Sequence, residues 1–128
     1  MQLPTTETPI QLRFTDIDLL GHVSNSIYLS YFDLGRVEFF KDVKSQFNDE
    51  DFYYTVVVKI ELEYMKEVGL TDELTVKTTC QSIGTKSMQL EQVALVEGNV
   101  TTKALVTLVC IDPKEKKSKP FPKDWEPS

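Results

Sequence analysis

One apolar segment of helical length, followed by four alternating segments, constrains the fold of this chain more than any other feature of its sequence. Over residues 27–40, apolar side chains fall on nearly every side of a helix. A helix that is apolar on most sides is buried on several faces, so we expect this one to lie inside the fold. Gly35 lies in its middle and weakens it by about 1 kcal/mol relative to alanine, which favours close approach of another backbone. The helix is expected to fade between Lys41 and Asn48.

The segments on either side of this helix have the two-residue period of β-strands. Residues 9–14 predict a short first strand whose apolar side chains share one face. Four longer strands are predicted after the helix, over residues 55–64, 73–83, 87–96 and 100–112. Glycine-containing pairs at 84–85 and 98–99 mark tight turns between the last three strands. This order predicts an α+β fold in which an antiparallel sheet wraps around one long central helix.

Length and charge exclude several classes of function. With 128 residues, the chain is expected to form a single domain, with its core at about 9–112 and a polar tail at 113–128. A net charge of −6 at pH 7 argues against general nucleic-acid binding and against an anionic membrane surface. Residues 1–8 are polar, and no apolar run reaches the length of a transmembrane helix. The sequence therefore predicts neither a signal peptide nor a membrane partner.

The cysteines and the histidine restrict the chemistry further. Cys80 and Cys110 lie far apart and match no metal-binding spacing. We read them as reduced, buried thiols of a cytoplasmic protein, with a structural disulfide as the alternative. His22 is the only histidine, which removes zinc sites built on several histidines and any nucleophile relay that does not use this residue.

The stretch just before the helix carries most of the candidate chemistry. Residues 13–24 read RFTDIDLLGHVS and contain two carboxylates, an imidazole and a glycine. Ser24 and Asn25 are both favourable N-cap residues, so either side chain is expected to cap the helix. The free backbone N–H groups of a helix N-terminus can bind a developing oxyanion, and a carboxylate beside them can act as base or nucleophile.

The order of these elements, with particular residues in them, resembles the hotdog-fold acyl-CoA thioesterases, in particular the 4-hydroxybenzoyl-CoA thioesterase-like family. That family has approximately aromatic-x-Asp-x-Asp-x-x-Gly-His/Val-Val near its N-terminus, and here residues 14–25 read FTDIDLLGHVSN. An aromatic-rich helix follows, with Tyr28, Tyr31, Asp33 and Arg36 at matching places. Further matches are LTDEL at 70–74, IGTKS at 83–87, VCID at 109–112 and PFP at 120–122.

The resemblance covers roughly residues 9–122. It implies a homodimer or homotetramer whose sheets join edge to edge and whose active sites lie at the subunit interface. It also implies hydrolysis of an acyl-CoA thioester to a free acid and CoA, with no metal and no organic cofactor. Asp18 aligns with the catalytic aspartate, and the backbone N–H of Asn25 aligns with the donor that polarises the thioester carbonyl. The turn with Lys86 and Ser87 aligns with one that approaches the phosphates of CoA.

Each candidate catalytic residue has a structural alternative. Asp18 could be the base or nucleophile, or it could cap backbone N–H groups of a turn. Asp16 could raise the basicity of Asp18, or it could cap the loop. His22 could orient the attacking water or bond the thioester oxygen, or it could be a loop histidine bonded to backbone. Ser24 stands where many relatives have Asn, which bears on the substrate more than on the reaction class.

The candidate substrate-binding residues have alternatives of their own. Gly21 predicts a positive φ or close passage of substrate, although an ordinary turn glycine would look the same. Tyr28, in the first turn of the helix, either lines the acyl pocket or belongs to the core with the other helix aromatics. Lys86 and Ser87 either contact the CoA phosphates or form an exposed turn.

Three rival interpretations stand beside the thioesterase. A non-catalytic hotdog acyl-CoA-binding module would keep the fold without turnover, and an unrelated α+β domain could also wrap a helix. A hotdog dehydratase commonly has four residues between its Asp and its His, whereas three separate Asp18 from His22. Within the thioesterase interpretation, the sequence leaves open the acyl group, CoA or acyl-carrier protein as the thiol, nucleophile or general base, and dimer or tetramer.

Overall fold

The computed structural model describes residues 1–47 and 54–128, and its strands form one antiparallel sheet. The elements in chain order are β1 (Thr6–Ile10), α1 (Tyr28–Gln46), β2 (Tyr54–Tyr64), β3 (Leu74–Ile83), β4 (Ser87–Val96) and β5 (Asn99–Ile111). The strand order across the sheet is β1-β3-β4-β5-β2, so β1 and β2 form its two edges. In the described residues, one long helix packs against one antiparallel sheet, which confirms the predicted α+β class and hotdog element order.

The sheet bends through its turns and bulges. Glu97 and Gly98 both have positive φ (51° and 78°), the conformation of a type I′ hairpin turn, and they join β4 to β5 one residue earlier than the predicted pair at 98–99. The strand register shifts once in each of three strand pairs, at Val57/Lys59, Cys80/Ser82 and Ala94/Leu95. Such bulges bend a strand and increase its twist, which lets the sheet curve towards the helix.

The helix buries one face rather than several. Its buried residues recur every three or four positions, as one helical stripe requires, and are Tyr28, Tyr31, Phe32, Gly35, Arg36, Phe39 and Val43. The expectation of burial on several faces is wrong for the single chain, because Leu34 and Val37 are 53% and 52% exposed. The sheet covers only one side of α1. The helix ends at Gln46, within the predicted region of fading.

Gly35 lies where the helix approaches the sheet most closely. A Cβ atom at this position would stand 2.7 Å from Val76 Cγ1, 2.9 Å from Gln92 Nε2 and 3.1 Å from Thr78 Oγ1. The predicted close approach is therefore present, but the neighbours are side chains of β3 and β4 rather than another backbone. The glycine allows the helix to pack directly on the centre of the sheet.

The first strand lies earlier in the chain than predicted. It spans Thr6–Ile10 rather than 9–14, with Thr6, Thr8 and Ile10 buried and the residues between them exposed. The chain leaves the sheet before Arg13, because the backbone N–H and guanidinium of Arg13 both donate to Asp16 and fold the next residues into a 3-10 turn. The apolar alternation over residues 9–14 therefore extends past the end of β1 into the turn, which is why the predicted strand was placed too late.

The C-terminal residues are part of the core, which the prediction of a polar tail missed. Residues 113–118 are exposed as expected, but Phe121 and Trp125 are buried. Their rings stack at 5.8 Å, and the Trp125 ring lies 6.2 Å from that of Phe47 at the end of α1. The core therefore extends beyond 9–112, and at the N-terminal side it includes Leu3.

The last residues also extend the β1 edge of the sheet. β1 pairs with β3 only as far as Thr78, which lies opposite Thr6. Beyond that point, Ser128 N donates to Cys80 O at 3.0 Å, and Cys80 N donates to Ser128 Oγ at 2.8 Å. Leu3 N donates to Glu126 O at 2.8 Å, so the two ends of the chain also pair with each other. These contacts continue the cover of β3 beyond the end of β1.

Both cysteines are buried and free, which excludes the disulfide alternative. Burial raises the pKa of Cys80 to about 11 and raises the pKa of Cys110 as well. Both side chains therefore stay protonated and packed at neutral pH.

Candidate active site

A tight hairpin over residues 17–23 carries the central carboxylate of the motif. Asp18 N donates to His22 O at 2.8 Å, and Gly21 N donates to Asp18 O at 3.1 Å. Gly21 has a φ of 85°, which confirms the predicted positive φ, because the hairpin needs a left-handed residue to close. A side chain at Gly21 would meet no other described residue within 4 Å, so within the chain itself it is the positive φ that favours glycine.

The Asp18 carboxylate lies at the base of this hairpin. Its Oδ1 accepts hydrogen bonds from Leu20 N at 2.9 Å and His22 N at 3.2 Å, both at the exposed surface. Asp18 thus caps the turn, as the structural alternative expected. Its Oδ2 accepts no hydrogen bond from residues 1–47 or 54–128. The capping bonds fix the orientation of the carboxylate and leave one oxygen available for chemistry.

His22 meets a partner that the sequence did not indicate. Its Nε2 lies 3.1 Å from Glu67 Oε2, and its backbone pairs with Gly69. Glu67 follows the end of β2 and reaches the hairpin because Val23 N donates to Val68 O at 2.8 Å. The imidazole therefore contacts a carboxylate on the neighbouring segment, whereas its link to Asp18 runs through backbone. No motif spacing could have predicted this pair, because it depends on how two distant segments meet.

Asp16 is the buried carboxylate of the pair, although the sequence favoured a loop or supporting role. It is 1% exposed, and its Oδ2 accepts the Tyr31 hydroxyl at 2.7 Å. Arg13 donates to both carboxylate oxygens, through its guanidinium and its backbone N–H. The Asp16 carbonyl accepts Ser24 N at 2.9 Å, which closes the loop before α1. Asp16 thus ties the loop to the helix and makes no hydrogen bond to the Asp18 side chain.

The Asp16 network fixes its own protonation state. Burial by itself would raise the pKa of Asp16, but the hydrogen bonds from Tyr31 and Arg13 outweigh it and lower this pKa below its ordinary 3.8. Burial and the hydrogen bond to Asp16 raise the pKa of Tyr31. At neutral pH the pair is therefore a carboxylate accepting from a neutral phenol.

The start of the helix has free donors but no side-chain cap. Ser24 precedes a 3-10 turn at Asn25–Ile27 that leads into α1, and neither segment has a capping side-chain hydrogen bond. The prediction that Ser24 or Asn25 caps the helix is therefore wrong. The Asn25 carbonyl accepts the Tyr64 hydroxyl at 3.0 Å. The Asn25 N–H donates to no acceptor among the described residues. This is expected because the first N–H groups of a helix have no partner within the helix.

Tyr28 is buried beneath the N-terminus of α1, in the core of the single chain. Its ring meets those of Tyr31 and Tyr64 edge to face, at 5.9 Å and 5.6 Å between centroids. Burial raises the pKa of Tyr28. The contact with Tyr64 was not predicted, because the sequence pattern places Tyr64 only at the end of the strand predicted over residues 55–64. The three rings form an aromatic floor, defined as Tyr28, Tyr31 and Tyr64, under the N-terminus of the helix.

The turn with Lys86 and Ser87 lies at the other end of the sheet. Both residues are exposed, and Gly84 N donates to Ser87 O at 2.8 Å. Ser87 pairs with Val109 on β5, whereas Tyr64 pairs with Thr102 on the same strand. Seven strand residues separate the two levels, or about 23 Å. A single chain therefore does not bring this turn to the Asp18 hairpin.

None of the helices in the described ranges is long and apolar enough to span a membrane.

The sequence matches the family model described as the thioesterase-like superfamily over residues 12–126. Among curated proteins, the long-chain acyl-CoA thioesterase FadM of Escherichia coli K12 is 34% identical over 115 residues, covering 88% of this chain and 87% of FadM. The acyl-CoA thioester hydrolase YbgC of Escherichia coli O6:H1 is 26% identical over 118 residues, covering 90% of this chain and 88% of YbgC.

Solved structures of thioesterases also superpose on this chain. A thioesterase of Thermus thermophilus, complexed with coenzyme A and Zn, superposes with a TM-score of 0.77 at 27% identity, covering 91% of this chain and 85% of that one. The probable thioesterase YbaW of Escherichia coli superposes with a TM-score of 0.76 at 32% identity, covering 91% of this chain and 88% of the other.

Proposed function

This chain belongs to the thioesterase-like superfamily, a group of hotdog-fold thioester hydrolases, and we propose that it hydrolyses acyl-CoA thioesters to a free acid and CoA, with Asp18 as the reactive carboxylate. The observation that carries the proposal is the Asp18 side chain, held by two backbone N–H groups with its second oxygen unengaged by the described residues, in the loop that leads to the helix start. The names of the relatives support acyl-CoA as the substrate class, and a structural neighbour binds coenzyme A.

The proposed reaction uses two groups at the start of the helix. The thioester oxygen accepts a hydrogen bond from the Asn25 N–H, which stabilises the negative charge that develops there. Asp18 either attacks the carbonyl carbon or removes a proton from the attacking water. In the first case a mixed anhydride forms as the C–S bond breaks, and water then hydrolyses it. In the second case the water oxygen bonds the carbon directly. In both, the sulfur leaves and takes up a proton as the CoA thiol.

Asp16 and His22 support this chemistry in different ways. Asp16 is a positioning residue, because its bonds to Tyr31 and Arg13 hold the base of the hairpin. His22, whose imidazole contacts Glu67, is proposed to orient the attacking water or to bond the thioester oxygen. We expect loss of His22 to reduce activity less than loss of the Asp18 carboxylate does.

A second copy of the chain would complete the site. Lys86 and Ser87 are proposed to bind the CoA phosphates, yet they lie about 23 Å of strand away from the aromatic floor in their own chain. Pairing of two sheets through their β2 edges would bring the turn of one copy towards the hairpin of the other. A homodimer, alone or paired into a homotetramer, therefore suits the substrate. In such a dimer, Gly21 and Tyr28 would face the acyl group. The cytoplasmic location of the protein stays a prediction.

The test measures release of free CoA from aromatic, short, medium and long acyl-CoAs. The parent protein is expected to hydrolyse at least one of them, and Asp18→Asn is expected to lose at least about 100-fold in kcat. Asp112→Asn is the matched control, because Asp112 also caps an exposed turn through two backbone N–H groups. It should keep full activity. Full activity in Asp18→Asn would refute the mechanism, and absence of turnover with every acyl-CoA would favour the binding module.

A further inference from the structure

Tyr64, the last residue of β2, joins the sheet to the segment that leads into the helix. Its hydroxyl donates to the Asn25 carbonyl at 3.0 Å, and its ring meets that of Tyr28 edge to face. Its backbone pairs with Thr102 on β5, so the strand register fixes the point from which the side chain reaches out. Tyr64 and Asn25 are 39 positions apart in the chain, so this contact exists only in the folded protein.

Hydrogen bonds hold the backbone on both sides of the Asn25 N–H. The peptide group that contains this N–H also contains the Ser24 carbonyl, which accepts Ile27 N at 3.0 Å. The preceding peptide group is fixed because Ser24 N donates to Asp16 O at 2.9 Å. The following peptide group is fixed by Tyr64, through the Asn25 carbonyl. Since neither Ser24 nor Asn25 supplies a side-chain cap, the Tyr64 hydroxyl takes over part of the work of a cap.

The hydrogen bond from Tyr64 is better suited to positioning than to stability. It lies at the exposed surface, where water could satisfy the Asn25 carbonyl equally well, so its net contribution to folding is small. The Tyr64 ring, in contrast, rests against the buried ring of Tyr28, which restricts the direction in which the hydroxyl points. The main effect of the bond is therefore on where the turn at Asn25 lies.

We propose that Tyr64 is a positioning residue for thioester hydrolysis, which holds the turn at Asn25 so that the Asn25 N–H is aligned on the thioester oxygen. This inference rests on the proposed function, in which that N–H stabilises the charge that develops on the oxygen. A donor that is held in place before the reaction needs no reorganisation when the charge appears. A small displacement of such a group lowers the rate strongly. Tyr64 thus acts through Asn25 rather than on the substrate.

Steady-state kinetics of Tyr64→Phe test the proposal, with the acyl-CoA that the parent protein hydrolyses best. The substitution keeps the ring and removes only the hydroxyl. We expect kcat to fall about 10-fold while KM changes less than about 2-fold, because alignment of the donor matters most in the transition state. Parental kcat in Tyr64→Phe would overturn the proposal, and so would a rise in KM with kcat unchanged.

Thr101→Val is the matched control for a merely structural role. The Thr101 hydroxyl also donates to a backbone carbonyl at 3.0 Å, that of Ala94, but in the buried interior. Its loss should lower the midpoint of chemical denaturation at least as much as Tyr64→Phe does and should leave kcat at the parental value. An equal fall of kcat in the two variants would show that general loosening of the fold, rather than positioning, explains the effect.

Infrared spectroscopy gives a second readout that does not require turnover. The probe is the ketone analogue of the same acyl-CoA, in which a methylene replaces the sulfur and the carbonyl carbon is ¹³C. Binding to the parent should lower the carbonyl stretching frequency relative to water, and Tyr64→Phe should retain less of this shift than Thr101→Val. An equal shift in Tyr64→Phe and the parent would overturn the proposal.

The outcomes separate this inference from the proposed function. A parent protein that hydrolyses no acyl-CoA would overturn both. An active parent, an inactive Asp18→Asn and a Tyr64→Phe variant with parental kcat would together overturn the role of Tyr64 alone.

Discussion

The two edges of the sheet are built in opposite ways. The β1 edge is short, contains Pro9, and is continued by Ser128 beside β3. The β2 edge is eleven residues long, contains no proline, and exposes Val56, Val57 and Val58. Proline and coverage by other segments prevent strand addition, whereas a long apolar edge invites it. The fold thus closes one edge and leaves the other suited to pairing with a second copy.

The candidate active site lies near the open β2 edge rather than near the closed β1 edge. The hairpin with Asp18 contacts the segment after β2, through His22 and Glu67. The open edge therefore runs next to the candidate chemistry, and pairing there would change the surroundings of the acyl group. The three central strands separate the β1 edge from the β2 edge, so pairing at β2 would leave the surroundings of β1 unchanged.

The largest effect is expected from opening the closed edge. Trp125→Ala removes a buried ring that packs on Phe121 and Phe47 and anchors the residues beside β3. Loss of such a ring costs about 3–5 kcal/mol of unfolding free energy. Chemical denaturation with fluorescence or circular dichroism measures it. Phe14→Ala, which removes an exposed ring, is the control and should change stability by less than about 0.5 kcal/mol. Equal stability of the two variants would mean that the tail does not hold this edge.

A smaller effect is expected from placing a charge on the open edge. Val58 is 58% exposed and has no partner in the register between β2 and β5, so Val58→Lys leaves that ladder intact. A lysine buried between two copies without a partner should weaken self-association about 100-fold, and thioesterase activity should fall with it. Sedimentation velocity measures the association. Glu7→Lys places the same side chain on β1 and should leave association unchanged. Unchanged association in Val58→Lys would place the interface elsewhere.

The smallest of these effects concerns the loop that meets the open edge. Asp16→Asn removes the charge that accepts from Tyr31 and Arg13, and we expect a loss of about 1–2 kcal/mol of unfolding free energy at neutral pH. The pKa of Asp16 is lowered in the folded chain, so its stabilisation is complete above the unfolded value near 3.8 and is lost as pH falls through the folded pKa. The variant should lack this acid-dependent step. Parallel stability curves of parent and variant between pH 7 and about pH 2 would contradict the prediction.

Periodicity in the sequence predicted the helix, the four later strands and their turns, because each depends on side chains close in the chain. The positive φ of Gly21 was predictable for the same reason. The partners of His22 and Tyr28, and the burial of Trp125, depend on where distant segments meet, which local patterns do not encode. The exposed face at Leu34 was misjudged because apolar composition alone does not show which side of a helix the sheet covers.

The two-residue turn at Glu97–Gly98 also bears on the order in which the chain folds. Strands β3, β4 and β5 are neighbours in sequence as well as in space, so they pair after closing short loops. β2 pairs with β5 across a long separation, with Tyr54 opposite Ile111, and β1 likewise reaches β3 from far away. Long loops close more slowly, so we expect a central three-strand meander to form first and both edge strands to join it late. In pulse-labelled hydrogen exchange, the amides shared by β4 and its two neighbours should be protected before those of either edge.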